Sequence, residues 1–241
     1  MSKLGDPVDL SHQLNESKLR NRVSAVGIEL EGGWREQPAG VTIGHDGSVI
    51  GMPSQARYVG ELASPPILTT QIETWMTKCY PDYVNETCGL HVHMSFDNAF
   101  LYQRLMDDRY PATILRYIER WAKDEKLSTA SPIWDRLAGR SVYCQHVFAP
   151  DEQAQAVKKD FSRTRPGNRY TVINYPFSRT HTIECRLLPM MPTTVQGIRA
   201  VQEVIHITNA FLVKTAARER KYVKVVQDDG DSTTYRSRAV L

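Results

Sequence analysis

Apolar and polar residues alternate in several short segments of this 241-residue chain. A period of two is typical of β-strands that bury one face, because successive side chains point to opposite sides of a sheet. Alternation and β-branched content predict strands over residues 23–31, 57–62, 89–96, 141–148, 169–175 and 182–188. Gly32 and Gly33 should end the first strand, and two strand-like pieces within 39–52 should flank a turn at Asp46-Gly47.

Another segment, residues 69–80, repeats apolar residues at the spacing of an α-helix. Thr69 or Thr70 is the predicted N-cap of this helix. Glu73 lies in reach for a capping box.

Two longer helical patterns follow. One begins at the candidate cap Asp97, runs to about Lys126 and is interrupted at Pro111, which predicts a kink or two consecutive helices. The other covers about 194–218 and is the clearest helix in the chain. Its predicted core stripe consists of Ile198, Val201, Ile205, Thr208 and Leu212.

The predicted strands occur in clusters separated by helices of unequal length, without regular strand–helix alternation. This order predicts an α+β fold with a largely antiparallel, curved sheet and helices packed on one face. Residues 1–22 are a polar lead-in, residues 23–218 form one domain, and residues 219–241 are a charged tail or an edge hairpin. The polar, basic segment 151–168 is a candidate lid with Gly167 as its hinge.

Charge and composition argue against several classes of partner. The 30 basic and 27 acidic residues give a formal net charge of +3, which is too balanced to predict nucleic acid or an anionic membrane as partner. No apolar run approaches the roughly 18 residues of a membrane span, and residues 1–22 lack a secretory signal, so we expect a cytoplasmic protein. The cysteines form no Cys-x-x-Cys pair and are expected to be reduced; they are Cys79, Cys88, Cys144 and Cys185.

Four of the predicted strands place ionisable residues on one face, because residues two apart in a strand share a face. These residues are Glu29, Glu31, Glu61, His91, His93, Glu184 and Arg186. Taken singly, each is more often part of a solvated strand face or a salt bridge than of a functional site. If the four strands are neighbours, however, the shared face collects at least four carboxylates, two imidazoles and a guanidinium.

Four carboxylates in one cleft repel one another, and a hard divalent cation such as Mg²⁺ or Mn²⁺ relieves that repulsion. An arginine on the same face predicts that a further anion is held against the metal, and a nucleoside triphosphate satisfies the whole set. Arg169 is another candidate clamp for an anion, followed by Asn174. The turn His45-Asp46-Gly47-Ser48 is explained by its conformation alone.

A series of six segments, in chain order, resembles the carboxylate–amine ligases of the glutamine synthetase and glutamate–cysteine ligase fold. The segments are GIELEG, HDGSV, GELASPP, CGLHVHMSF, RYTVIN and TIECRLLP. The chain is most similar to the small phage and bacterial amidoligases, the phage carboxylate–amine ligase type 2 group, over about residues 23–200. The resemblance implies an amidoligase-like catalytic domain over 23–218, with a fold like the glutamine synthetase catalytic domain.

The resemblance also implies roles for individual residues. The implied metal ligands are Glu29, Glu31, Glu61, His91 and Glu184. The implied nucleotide contacts are His93, Arg169, Arg186 and Asn174. Of these, the residues implied in catalysis are His93, Arg169 and Arg186. Asp46 and Ser48 would approach the substrate.

The implied reaction uses ATP and Mg²⁺ or Mn²⁺ to join a carboxylate to an amine through an acyl phosphate. An amino acid, a peptide or a cell-wall-type acceptor would be the substrate. The chain is shorter than a glutamine synthetase and lacks an obvious β-grasp domain, so its oligomeric state stays open.

Two alternatives to a ligase also stay open. One is a mononuclear metal oxygenase or cupin-like enzyme that uses His91, His93 and Asp97, which leaves the strand glutamates without a role. The other is a non-catalytic binding module that has kept the fold.

Overall fold

A computed structural model of the chain describes residues 22–107, 109–144, 170–176 and 180–228. Side chains are described in these ranges except at residue 99 and at residues 218–228. Several predictions lie outside the described residues. They concern the lead-in up to residue 21, the end of the predicted strand 141–148, the candidate lid 151–168, Arg169 and the tail beyond residue 228.

Five strands form one sheet in the described part of the chain. They are β1 (Ala25–Trp34), β2 (Tyr58–Ala63), β3 (Gly89–Ser95), β4 (Ile173–Asn174) and β5 (Ile183–Pro189). Every neighbouring pair is antiparallel, and the order across the sheet is β2-β1-β3-β5-β4. The predicted strands are therefore confirmed at five places, although β4 covers only two residues of the predicted range 169–175.

The described residues also form helices α1 (Ile72–Cys79), α2 (Ala99–Leu105), α3 (Arg109–Asp124), α4 (Ile133–Leu137) and α5 (Thr194–Asp228). A 3₁₀ turn at Thr69–Gln71 leads into α1, with Leu68 as its N-cap. The predicted threonine cap was wrong, because the Gln71 side chain accepts a 2.9 Å hydrogen bond from the Leu68 backbone N–H instead. The short helix α4 was not predicted.

The helices pack on the apolar face of the sheet. The core-facing residues of the central strands are fully buried and include Ile28, Leu30, Val92 and Met94. On α5, the Thr208 hydroxyl lies 3.4 Å from the sulfur of Met94, and the whole predicted stripe of this helix is buried. An antiparallel sheet with helices against its apolar face confirms the predicted α+β fold.

Strand β1 continues through Gly32 and Gly33, which we predicted would end it. Both residues pair with β2. A Cβ atom on Gly32 would lie 2.7 Å from the Pro81 Cβ, and one on Gly33 would lie 2.7 Å from the Ala56 Cβ. Glycine is needed at both positions because other segments of the same chain, at Pro81 and Ala56, pack closely against the strand. Neither glycine marks a turn.

Two further predictions of strands were wrong. The range 39–52 forms no hairpin, and its one bridge to a named strand runs from Gly44 to Glu61. This range contains four glycines, which pack poorly in strands. The described part of 141–148 forms a turn in which the Ser141 hydroxyl accepts a 3.2 Å hydrogen bond from the Tyr143 N–H.

The predicted helical pattern over 97–126 divides into two consecutive helices, α2 and α3. The break falls between Leu105 and Arg109 and not at Pro111. Pro111 lies in the first turn of α3, where its missing N–H would have no partner within the helix. The N-cap of α2 is Asn98, whose side chain accepts a 2.9 Å hydrogen bond from the Phe100 N–H, so the prediction of Asp97 was one residue early.

Helix α5 continues to Asp228, beyond its predicted end at Arg218. Residues 219–228 contain no glycine or proline and include several good helix formers, so nothing in them stops the helix. The first part of the range 219–241 is therefore helical and is neither a loose tail nor a hairpin. No helix of the described chain is both long and apolar enough to cross a bilayer.

A bulge interrupts the pairing of β3 with β5. Leu90 pairs with Leu188, whereas Val92 pairs with Cys185, so β5 contains one extra residue between these pairs. The guanidinium of Arg136 on α4 donates hydrogen bonds to the carbonyls of Arg186, Leu188 and Cys88 at 3.0–3.2 Å. Arg136 therefore holds carbonyls on both sides of the β5 bulge, together with one that lies just before β3.

Candidate metal centre

Strand register brings the predicted ionisable residues together on the face of the sheet opposite the helices. Directly opposed residues of antiparallel strands point to the same side. The opposed pairs are Glu31 with Glu61, Glu29 with His91, His93 with Glu184, and Glu184 with Asn174. The assumption that these strands are neighbours is therefore confirmed.

Glu29, His93 and Glu184 form one group of side chains that could hold a metal ion. Each offers a ligand atom, and the three atoms lie within 4.8 Å of one another. His93 Nε2 is 2.9 Å from Glu29 Oε1 and 3.9 Å from Glu184 Oε1. His93 and Glu184 are buried, and Glu29 is partly exposed.

Glu31, Asp46 and Glu61 form a second group with ligand atoms within 4.8 Å of one another. Asp46 reaches it because the loop before it crosses β2. Gly44 and Glu61 exchange backbone hydrogen bonds of 2.7 and 2.9 Å. Gly60 permits this crossing, since its φ is +152° and a Cβ atom there would lie 2.0 Å from the Gly44 carbonyl oxygen.

His91 lies between the two groups. Its Nδ1 is 3.1 Å from Glu29 Oε2 and 3.7 Å from Glu184 Oε1, and its Nε2 is 3.7 Å from Glu31 Oε1. Gly89 makes room for this arrangement, because a Cβ atom there would lie 2.4 Å from His91 Nε2. The Gly89 N–H also donates to Glu31 Oε2.

Arg186 and Asn174 border the first group and carry unsatisfied polar atoms. The Arg186 guanidinium pairs with Glu184 and lies over the Tyr170 ring, 5.7 Å from its centroid. Asn174 donates a 2.7 Å hydrogen bond to Glu184 Oε2. Within the described structure, Arg186 Nε and Asn174 Oδ1 are buried and lack hydrogen-bond partners. One is a donor and the other an acceptor, and a bound ligand or an ordered water would satisfy such groups.

The electrostatics of the centre reflect its crowding. Burial opposes ionisation of Glu29, but hydrogen bonds and charges from His91 and His93 hold the pKa of Glu29 well below its usual value. Burial likewise opposes a charge on His93, but Glu29 and then Glu184 raise the pKa of His93. Burial, together with the charges of Glu29, Glu31 and Asp46, raises the pKa of Glu61 to about 7.

The residues of the centre fit divalent cations. Five carboxylates and one imidazole make up the two groups, and the Arg186 guanidinium pairs with Glu184 beside them. Carboxylate oxygens suit Mg²⁺ and Mn²⁺, and an added cation would offset the mutual repulsion that raises the pKa of Glu61.

We predict that Glu61→Gln stabilises the metal-free protein at pH 8. The folded-state pKa of Glu61 is raised, so its neutral form favours folding at low pH and this contribution is lost as the pH rises from 4.5 through about 7. Gln keeps the neutral shape at every pH. The full shift corresponds to about 3 kcal/mol, which solvent screening of this partly buried group reduces to about 1–2 kcal/mol.

Chemical denaturation with EDTA, at pH 8 and again near pH 5, measures this effect. The advantage of Glu61→Gln should shrink at the lower pH, and the extra stability given by added Mn²⁺ should also be smaller in the variant. Glu36→Gln, an exposed change beyond the end of β1, is the matched control. Equal stability of wild type and Glu61→Gln at pH 8 would contradict the crowding of the second group.

Most sequence-predicted site residues meet in this centre. Asp46, predicted near substrate, lies within ligand distance of two glutamates, and its Oδ1 accepts 2.7–2.8 Å hydrogen bonds from the hydroxyl and N–H of Ser48. Arg169 lies outside the described residues. Asp97 is exposed and belongs to neither group, so the ligand set of the oxygenase alternative does not form in the described chain.

The sequence analysis missed two residues that support the centre. Thr182 lies two residues before Glu184 and contacts His93, so the alternation of β5 would have placed it on the same face. Arg136 supports the bulge in β5, and no pattern in the sequence indicated its burial.

Comparison with known proteins gives no match to a family model, to a curated protein or to a solved structure.

Proposed function

We propose that this protein is an ATP-dependent carboxylate–amine ligase of the amidoligase type, with a glutamine synthetase-like fold and a requirement for Mg²⁺ or Mn²⁺. One observation carries the proposal. Two three-residue ligand groups lie on one face of an antiparallel sheet, with Arg186 beside them. Six sequence segments in chain order, from GIELEG to TIECRLLP, supply the likeness to amidoligases.

The residues that would hold the cations are the members of the two groups, Glu29, His93 and Glu184, and Glu31, Asp46 and Glu61. His91 is within 4 Å of carboxylates of both groups and would join either. When bound, divalent cations would neutralise nucleotide phosphate oxygens and polarise the transferred phosphoryl group.

Arg186 is suited to bind the phosphoryl group. Its side chain is 12% exposed and is held in place by Glu184 and the Tyr170 ring, and its buried Nε has no hydrogen-bond partner in the described structure. A fixed guanidinium stabilises charge that develops on phosphoryl oxygens during transfer. Asn174 Oδ1 accepts hydrogen bonds only, so it would take an N–H or O–H group of a ligand.

In the proposed reaction, a substrate carboxylate attacks the γ-phosphate of ATP and releases ADP. An amine then displaces phosphate from the acyl phosphate to form an amide. Burial of His91, His93, Glu31 and Glu184 limits water at the site, which protects the acyl phosphate from hydrolysis. The substrates would be an amino acid, a peptide or a cell-wall-type acceptor. Because ATP is the co-substrate, we assign the activity to the cytoplasm, that of the host if a phage encodes the chain.

Metal-dependent ADP release tests the proposal. Purified protein is incubated with Mg²⁺ and ATP, and amino acids, polyamines and cell-wall peptides are screened as acceptors. We expect acceptor-dependent ADP release with an equal amount of amide detected by mass spectrometry. ADP release that never yields amide would contradict a ligase.

Thermal shift with Mg-ATP separates the ligase from the alternatives. A ligand that binds the native state raises the melting temperature, by an amount that grows with its concentration above Kd. No shift at millimolar Mg-ATP in a folded protein would favour a non-catalytic module. A tightly bound single iron in the purified protein would favour an oxygenase.

A further inference from the structure

A chain of hydroxyl groups leads away from His93 on the side opposite the carboxylates. His93 Nδ1 is 2.9 Å from Thr182 Oγ1, which is 2.7 Å from Thr180 Oγ1. The Thr180 hydroxyl in turn lies 3.3 Å from the carbonyl oxygen of Pro176. Thr182 is fully buried, so water cannot replace its partners.

Each threonine hydroxyl has only one hydrogen to donate, and this fixes the donor and acceptor of each hydrogen bond from Pro176 to His93. A carbonyl oxygen only accepts, so the Thr180 hydroxyl donates its single hydrogen in the 3.3 Å contact with Pro176, whose oxygen also accepts the Thr180 N–H at 3.0 Å. Thr180 must then accept from Thr182, which uses the single hydroxyl hydrogen of Thr182. Thr182 can therefore only accept from His93, and the proton of the neutral imidazole is placed on Nδ1.

The other ring nitrogen faces the metal ligands. In the Nδ1–H tautomer, Nε2 carries a lone pair, yet it lies 2.9 Å from Glu29 Oε1 and 3.9 Å from Glu184 Oε1. A lone pair directed at carboxylate oxygens is repulsive unless a proton or a metal cation lies between them. A metal in this position would complete the group Glu29, His93 and Glu184.

We propose that Thr182 and Thr180 are positioning residues that hold His93 as the Nδ1–H tautomer, so that its Nε2 binds the divalent cation shared with Glu29 and Glu184. A histidine that binds metal through one nitrogen commonly donates a hydrogen bond from the other, which fixes its tautomer and orientation. This role differs from the phosphate contact that the family resemblance implied for His93. The inference rests on the proposed metal centre and not on the ligase reaction.

The surroundings of His91 differ. Its Nδ1 lies near Glu29 and Glu184, and its Nε2 lies near Glu31, so carboxylates flank both ring nitrogens. His93 instead has a carboxylate side and a hydroxyl side. In His93, therefore, Nε2 is the nitrogen that would bind the metal, and Nδ1 is the nitrogen held by Thr182.

Mn²⁺ titration followed by electron paramagnetic resonance, without nucleotide, measures the effect of the hydroxyl. Thr182→Val keeps the shape of the side chain and removes the hydrogen bond, and it should weaken Mn²⁺ binding by about tenfold or more. Thr182→Ser keeps the hydroxyl and should restore an affinity close to that of wild type. Thr208→Val, which removes an equally buried hydroxyl from α5 on the apolar face, should leave Mn²⁺ affinity unchanged.

A second measurement reads the tautomer directly in the wild-type protein. Nitrogen NMR of ¹⁵N-histidine-labelled protein saturated with diamagnetic Mg²⁺ should show a proton on His93 Nδ1 and none on Nε2, with the resonance assigned by its loss in His93→Gln. Because it uses the wild type, this test stands even if Thr182→Val does not fold. Either of two results would overturn this inference alone. One is tight Mn²⁺ binding by a protein in which the metal-bound His93 carries its proton on Nε2, and the other is unchanged Mn²⁺ affinity in folded Thr182→Val. A wild type that binds no Mn²⁺ would overturn the proposed metal centre together with the role of Thr182.

Discussion

Replacing Glu184 by Gln should reduce metal-dependent ADP release about a thousandfold or more and leave the chain folded. Glu184 is the most connected carboxylate of the centre. Its Oε1 pairs with Arg186 and lies 3.7 Å from His91 Nδ1, and its Oε2 accepts a hydrogen bond from Asn174. Gln keeps the volume but removes the charge, and it turns one ligand oxygen into an N–H donor.

The loss should appear in binding as well as in turnover. Mn²⁺ affinity, measured without nucleotide, should fall together with ADP release, while circular dichroism stays unchanged. Glu119→Gln on α3 is the control, because this glutamate is half-exposed and pairs only with Lys123 among the described residues. Full activity of Glu184→Gln would exclude Glu184 from the metal centre.

The alternation of side chains made the faces of the strands predictable. Glu29 with Glu31, His91 with His93, and Glu184 with Arg186 share faces because a strand has a period of two. The same rule predicted the separation of an ionisable face from an apolar face, which gave the α+β fold its helices on one side. Which face of a strand a residue lies on depends only on its neighbours in the sequence, so one sequence is enough to predict it.

Register and loop placement were not predictable in the same way. Nothing local shows that Glu184 lies opposite His93 or that a bulge follows this pair, because pairing depends on the whole sheet. Asp46 reaches Glu31 and Glu61 only because Gly44 bridges to β2. The sequence analysis took Asp46-Gly47 as a simple turn, and the turn exists, but its tertiary contacts make the aspartate a candidate ligand.

Glycine was misinterpreted for a related reason. Gly32 and Gly33 are typical chain breakers in sequence, yet both lie inside β1. Their role is to let Pro81 and Ala56 pack against the strand, and such contacts come from residues distant in sequence. A glycine pair thus indicates either a turn or a close approach, and only the neighbours decide between the two.

Arg136→Met should lower the free energy of unfolding by about 3–5 kcal/mol, which would lower the melting temperature by roughly 10 °C. Arg136 is 1% exposed, and its guanidinium donates to the carbonyls of Arg186, Leu188 and Cys88. Met fills similar space but has no donor, so these carbonyls lose the hydrogen bonds of Arg136, although Cys88 still accepts from the Met190 N–H. A buried group left unsatisfied costs about 1–3 kcal/mol. The Arg136 hydrogen bonds lie at the bulge in β5, and this strand carries both Glu184 and Arg186.

Arg140→Met separates this effect from a general loss of charge. Arg140 lies just beyond α4, is 65% exposed and pairs with an exposed Asp135, so its replacement should change stability by about 0.5 kcal/mol or less. Urea denaturation of both variants compares the two arginines, and Mn²⁺ titration of folded Arg136→Met below its melting temperature tests the centre. Because the bulge adjoins the stretch of β5 in which Glu184 pairs with His93, Mn²⁺ should bind more weakly to Arg136→Met than to wild type. If Arg136→Met were as stable as Arg140→Met, the bulge would not depend on the guanidinium, and some other donor would have to satisfy the carbonyls beside the metal centre.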